Sequence, residues 1–342
     1  MNLKNARMTA GDTAAAAAAY ASKNVIGDIV GLNIFDKAPD ALYSADGKFN
    51  ANILNGYKDD LDWFGQTIRK GYRQEYNVSA STGTEKADAY FSIGYLDENG
   101  YLKNSDFERL TGRAVMNVNP VKWLKMGVNL SASHQTGNNT SGVGDGASSY
   151  INPFMYCRNI SPVYPVHLHD IKTGEYILDA NGNKQFDSGS YRDAQGVVQT
   201  TRNQYADRHV IWENQLDYDR TYRNTMEGIA YADFHFLNDF TFTVKGDVNL
   251  RNSENDTYNS AIIGDGKGNN GRAKKVTYRY KNYTFQQQLR YVHQFGDHGV
   301  NVLLGHENYY YNYDYSYEYK VNQVFAGKGN MTNVTEMTSI DG

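Results

Sequence analysis

FERLTGRAVMNVNPVKWLKMGVNLSAS, residues 107–133, decides the fold class. In its first half Leu110, Gly112, Ala114, Met116 and Val118 take alternate positions, with Arg109, Thr111, Arg113, Val115 and Asn117 between them. In its second half Leu124, Met126, Val128, Leu130 and Ala132 alternate with Lys125, Gly127, Asn129, Ser131 and Ser133. Side chains on a strand point to opposite faces with a period of two, so each run has one apolar and one polar face. Each run is about eleven residues long, enough for a tilted strand to cross a bilayer and about twice the usual strand of a soluble sheet. Length and alternation together predict a membrane β-barrel.

The pattern extends in both directions. Upstream, Tyr72, Gln74, Tyr76, Val78 and Ala80 alternate with polar residues, and Ala89, Phe91, Ile93 and Tyr95 mark the next apolar face. Downstream it resumes at Met226, Gly228, Ala230, Ala232, Phe234 and Phe236, then at Phe240, Phe242, Val244, Gly246, Val248 and Leu250. Tyr283, Phe285, Leu289, Tyr291 and Phe295 follow, then Val300, Val302 and Leu304. Connections near 83, 120, 238 and 297 are short, whereas those near 100, at 136–213, at 252–274 and after 314 are longer. Outer-membrane barrels alternate short periplasmic turns with long external loops. The expected fold class is therefore all-β: part of a large antiparallel transmembrane β-barrel with long extracellular loops. Residues 1–70 are expected to form an extracellular loop region with short helices. Residues 71–320 are expected to form a partial barrel of about eight strands, including the long extracellular loop 136–213. Residues 321–342 are expected to begin a further loop. Asp12 or Thr13 can cap an alanine-rich helix from residue 14, and Asp59–Phe64 can begin a short helix or turn.

Composition agrees with this expectation. The 342-residue chain has a mean hydropathy of −0.67, and no apolar run approaches the roughly 18 residues of a membrane helix. A barrel hides its lipid face in every second residue, so low hydropathy does not oppose it. Five prolines suit a hydrogen-bonded sheet, and 29 tyrosines suit both interfacial girdles and sugar-binding loops. A net charge of −4 gives no footprint for nucleic acid. The single cysteine, Cys157, excludes an intrachain disulfide framework and any multi-cysteine metal site. Met1–Asn5 does not open a secretory signal, so an exported protein read from this sequence is expected to be truncated.

Several stretches carry possible chemistry. Asp179, Asn181 and Asn183 match the first ligand positions of a calcium loop, but Lys184 stands where Gly is required and Ser190 where the last Glu should be, which favours a hairpin turn. Gly264–Gly271 lacks the Lys-Ser/Thr ending of a phosphate cradle. His167 and His169 show no third ligand by spacing and are read as structural or exposed. No catalytic residue, metal or other cofactor is expected, and the chain is not expected to be an enzyme. Tyr309, Tyr310, Tyr311, Tyr313, Tyr315, Tyr317 and Tyr319 form a ladder whose odd members share a strand face. It is expected to serve the membrane interface or a strand emerging above it, with sugar stacking as the functional alternative. Loop aromatics Tyr150, Phe154, Tyr156, Tyr164, Tyr191 and Trp212 are the candidates for ligand or partner contact. Arg109, Arg113, Asn117, Asn129, Glu227, Asp233 and Asp247, on the polar faces, are the lumen candidates.

Asp62-Trp63-Phe64, the run from Thr82 to Arg113 with its block GYLDENGYLKNSDFERLTGR at Gly94–Arg113, and VKWLKMGVNLSAS at 121–133 resemble SusC/RagA-type TonB-dependent outer-membrane transporters. The resemblance covers about residues 60–135, is weaker over 214–310 and is poor in the loops. It implies an internal stretch of a barrel of about 22 strands that encloses an N-terminal plug. It further implies a multi-pass place in the bacterial outer membrane, in contact with its lipid. Import of an oligosaccharide or peptide substrate, a SusD-like surface lipoprotein partner and a TonB complex acting through the missing N-terminal part also follow from it. The rival reading is a soluble extracellular β-protein that binds glycans through exposed tyrosines. A secreted β-rich hydrolase would need a carboxylate pair that the sequence does not display.

Overall fold

The computed structural model describes residues 2–140, 151–193, 195–325 and 334–341. They fall into two compact units. One comprises 1–69, 141–217 and 259–270, and the other comprises 70–140, 218–258 and 271–342.

The second unit is a nine-stranded sheet in the order β1-β2-β3-β4-β7-β8-β9-β10-β11. Its strands are β1 (Tyr72–Gly83), β2 (Ala87–Asn99), β3 (Asp106–Val121), β4 (Leu124–Asn139), β7 (Tyr218–Phe236), β8 (Phe240–Asn259), β9 (Arg272–Phe295), β10 (His298–Gln323) and β11 (Val334–Asp341). Every sequence neighbour in the sheet is also a spatial neighbour, the plain up-and-down path that short turns enforce. The turns at 84–86, 122–123, 237–239 and 296–297 leave one end of the sheet, and all the longer connections leave the other. The expected alternation of loop lengths is thus present. The strands outrun the expectation: β10 has 26 residues and β9 has 24. Residues 252–259, expected in a loop, continue β8. Residues 334–341, expected to lie in a terminal loop, pair with β10 as a ninth strand.

Register sorts the side chains as the alternation requires. Val78 faces Ile93, Ile93 faces Gly112, Gly112 faces Ala132 and Ala132 faces Met226. Among the described residues no second layer covers this apolar face: Val78 is 74 % exposed and Leu304 71 %. On β8 the apolar row runs from Phe240 to Leu250 and then gives way, on the same face, to Asn252, Glu254 and Asp256. Ten residue steps at about 3.3 Å, tilted by about 45°, give a band roughly 23 Å tall, close to the apolar belt of an outer-membrane barrel. Aromatic residues mark its borders. Phe236 stacks on Phe240 at one border, while Tyr76 faces Tyr95 and Tyr283 faces Tyr310 at the other. Beyond the tyrosine border the face becomes ionic, with the Lys275 ammonium 2.6 Å from Glu254 and 3.6 Å from Asp256.

The first unit is mixed. Helix α1 (Asn2–Thr9) precedes α2 (Ala14–Lys23), where Thr13 accepts from the Ala16 N–H as the N-cap. Asp62 caps α3 (Trp63–Thr67), accepting from Gly65 N–H, and Asn152 caps α4 (Pro153–Asn159). A small hairpin of β5 (Ser190–Arg192) and β6 (Val198–Thr201) and helix α5 (Val210–Leu216) complete it. Its core gathers Leu32, Ile34, Trp63, Tyr156, Tyr164 and Val210 from stretches far apart in sequence. The Trp63 Nε1–H, for example, donates to the Tyr164 carbonyl at 2.8 Å. The long irregular segments between strands are therefore a packed body with its own core.

Candidate functional site

The seven polar-face residues come together on one face of the sheet, opposite the apolar band. Arg113 lies across from Ser131, Ser131 from Glu227, and Glu227 from Asn249. Arg109 lies across from Gln135, Asn129 from Ile229, Ile229 from Asp247, and Asp233 from Thr243. The face is laced by hydrogen bonds. Arg113 Nε donates to Asn129 Oδ1 (3.3 Å), Ser131 Oγ to Glu227 (3.4 Å) and Thr243 Oγ1 to Asp233 (2.7 Å). Asn117 Nδ2 donates to Asp88 (2.8 Å), and its Oδ1 accepts from the Tyr231 hydroxyl (3.0 Å). Gly127 makes that last bond possible: a Cβ there would stand 2.5 Å from both Asn117 Oδ1 and the Tyr231 ring. Arg73, Glu75, Glu98 and Arg109 form an ionic group near the loop end of β1–β3. A face with this many donors and acceptors suits a wet passage for a polar solute.

The odd tyrosines of β10 share this polar face, while Tyr310 sits with Tyr283 on the apolar one. An interfacial role thus fits Tyr310, but Tyr309, Tyr311 and Tyr313 point away from the apolar band.

The loop aromatics divide differently from the expectation. Tyr150 lies outside the described residues. Tyr156, Tyr164 and Tyr191 are no more than 1 % exposed, which corrects their reading as contact residues. Each is locked by its hydroxyl, Tyr156 to the Arg208 carbonyl, Tyr164 to the Val30 carbonyl and Tyr191 to the Asp187 carboxylate. A segment with this many aromatic rings can build a core, and it does so here. Phe154 and Trp212 are half-buried, Phe154 against Phe64 and Trp212 stacked on Phe186.

Two buried polar clusters hold this body. In one, the Asp60 carboxylate meets His167 Nδ1 at 2.6 Å and His169 Nε2 at 3.0 Å. Burial opposes ionisation of Asp60, but the bonds to the two histidines outweigh it and hold the carboxyl below the usual range. The two histidines are structural, as expected. In the other, Arg202 Nη1 donates to Asp187 at 2.8 Å, and Nη2 donates to the carbonyls of Tyr205 and Arg208. Both side chains are fully buried. Burial pushes the Asp187 carboxyl up, and the Arg202 guanidinium opposes that shift. His209, enclosed beside Trp63, is driven down to about 3 by burial. Its Nδ1 accepts from Trp212 N–H, which leaves Nε2–H to donate to the Val166 carbonyl. The Asp179 segment closes as a hairpin, with Asp179 Oδ1 taking the Asn181 and Asn183 N–H groups.

Comparison with known proteins finds partial likenesses. No family model matches the chain. TonB-dependent receptor SusC of Bacteroides thetaiotaomicron is 24% identical over 262 residues, 74% of this chain and 24% of that protein. TonB-dependent receptor P39 of Formosa agariphila is 29% identical over 132 residues, 34% of this chain and 12% of that protein. The chain therefore spans no more than about a quarter of the length of these curated relatives. Among solved structures, the RagAB peptide transporter aligns with a TM-score of 0.59 at 16% identity, covering 82% of this chain and 29% of that one. The RagAB peptide importer in its closed-closed state aligns at 0.55, covering 96% of this chain and 33% of that one. Taken with the band-bearing sheet, these likenesses show a chain similar to SusC/RagA-type TonB-dependent receptors over a stretch of their β-structure.

Proposed function

We propose that this chain supplies barrel wall and external loops to a TonB-dependent transporter of the bacterial outer membrane. The transporter imports oligomeric nutrients, glycans or peptides, together with a SusD-like surface lipoprotein. Its role is passage: the polar face lines the lumen and the apolar face meets lipid. Selectivity comes from side chains such as Arg109, Arg113, Glu227 and Asp247, with no bond-making chemistry, and energy arrives through TonB.

The observation that carries this reading is the uncovered apolar band on long strands whose opposite face is hydrogen-bonded and polar. A soluble glycan-binding β-protein would have to pack that band against a second layer. Fractionation of cells producing the protein tests the proposal. It should remain in the outer-membrane fraction after high-salt and urea washes and leave it only with detergent. Recovery in a soluble fraction, monodisperse without detergent, would overturn the reading.

A further inference from the structure

We propose that the polar face of β9 and β10 carries a carbohydrate-binding track, on whose tyrosine rings the sugar rings of a neutral oligosaccharide stack. The place of the track inside a pore rests on the transporter reading above. The chemistry of its ligand rests on the geometry of the track itself.

Register fixes the face. Arg251 lies across from Thr225, Thr225 from Ser133 and Ser133 from Thr111, the residue between Arg109 and Arg113. The Arg251 guanidinium carbon sits 4.0 Å from the centroid of the Tyr280 ring, which brings Tyr280 to the same side. Tyr280 is the register partner of Tyr313, and Tyr278 of Tyr315. Alternation along β10 then puts Tyr309 and Tyr311 on this side too. Tyr280 and Tyr313 lie 4.9 Å apart by ring centroid, and Tyr278 and Tyr315 lie 5.3 Å apart. Successive β10 rings on one face are about 7 Å apart. Tyr309 is 60 % exposed, Tyr311 51 % and Tyr313 43 %.

The surroundings define the ligand. Between 278 and 288 on β9 and between 305 and 315 on β10, the other positions of this face are Asn282, Thr284, Gln286, Gln288, Gly305 and Glu307. Gln286 Nε2 donates to Glu307. On these two strands that stretch holds one charge, Glu307, beside the Arg251 guanidinium of β8 against Tyr280, and no aliphatic side chain. It offers flat π-faces beside neutral donors and acceptors, which match a molecule with apolar ring faces and a rim of hydroxyls. A peptide would find no pocket for aliphatic side chains and little charge to pair.

Calorimetric titration of the full chain in detergent tests the track, with six-unit malto-, cello- and xylo-oligosaccharides and a neutral ten-residue peptide as probes. At least one oligosaccharide should bind the unsubstituted chain. Tyr311→Ala and Tyr313→Ala should each weaken it roughly fivefold, the range of one aromatic contact. Tyr310→Ala, on the opposite face of the same strand, should change it less than about twofold. The Tyr311→Phe/Tyr313→Phe variant keeps the rings and should stay within about threefold. Absence of oligosaccharide binding, peptide binding that responds to the same substitutions, or an equal effect of Tyr310→Ala would overturn the proposal. The transporter reading fails separately: a chain that binds sugar but leaves the membrane fraction without detergent keeps the track and loses the pore.

Discussion

Replacing Arg202 by methionine should cripple the loop body while sparing the sheet. Arg202 and Asp187 are both fully buried and 2.8 Å apart. Removing one partner of a buried ion pair costs about 3–5 kcal/mol, because the other charge stays behind without compensation. For a unit of this size each kcal/mol lowers the melting temperature by about 2–4 °C, so Arg202→Met should lower it by about 12 °C. Tryptophan emission provides the readout in the full chain: Trp63 and Trp212 belong to the loop body and Trp123 to the sheet, so the background is Trp123→Phe. The deficit should depend on pH. Burial already raises the Asp187 carboxyl, with Arg202 the first opposing charge, and without Arg202 it rises further. A carboxyl whose folded pKa exceeds its unfolded one favours the fold at low pH and loses that contribution as pH climbs, so the deficit should be smallest near pH 4 and largest near pH 7. The double variant Arg202→Met/Asp187→Leu removes the stranded charge but takes the acceptor from the Gly189 N–H and the Tyr191 hydroxyl, so it should recover only about half of the loss. An Arg202→Met chain melting within about 2 °C of the unsubstituted one would refute the assignment of this pair as the body's keystone.

Two further outcomes are expected. His209 is held neutral down to about 3, below its ordinary 6.5, so it contributes stability that is full above 6.5 and lost as pH falls toward 3. His209→Gln should flatten the melting-temperature profile across that window, measured by the same tryptophan emission. Val244→Arg, mid-way up the apolar band of β8, should cost about 2–4 kcal/mol in urea unfolding from phospholipid vesicles, against about 0–1 kcal/mol for Phe240→Arg at its border. Asn249→Arg, on the opposite face beside Glu227, should be close to neutral; equal costs at all three sites would show that the band does not meet lipid.

The sheet was legible because its signal is local and repetitive. Alternation from Leu110 to Ala132 states both the strand and its faces, and short turns such as 237–239 leave an antiparallel neighbour as the only outcome. All seven polar-face residues landed together for the same reason. The strand ends were not legible, because beyond the apolar band both faces are polar and periodicity vanishes, as at Glu254 and Asp256. The loop body was legible in its Thr13 cap and in the short helix or turn beginning within Asp59–Phe64, and in little else. Its core unites Trp63, Tyr156 and Val210 from separate stretches, and no spacing rule links them. Aromatic rings in a loop read equally as binding surface or as core. For Tyr164 the hydroxyl partner that decides it, the Val30 carbonyl, lies more than a hundred residues away.

The loop body is stitched from three stretches that the strands interrupt. Its Arg208–Asp265 and Lys267–Asp207 pairs cannot form until the segment following β8 has been delivered. Hairpins such as β3–β4 can zip early, since their partners are adjacent in the chain, whereas the body must wait for closures of long separation. Biogenesis of such a chain therefore has a forced timetable, with aromatic residues such as Tyr57 and Trp63 left unburied until their core partners between 156 and 211 arrive beyond four strands. In that interval they are the material a periplasmic chaperone would have to shelter.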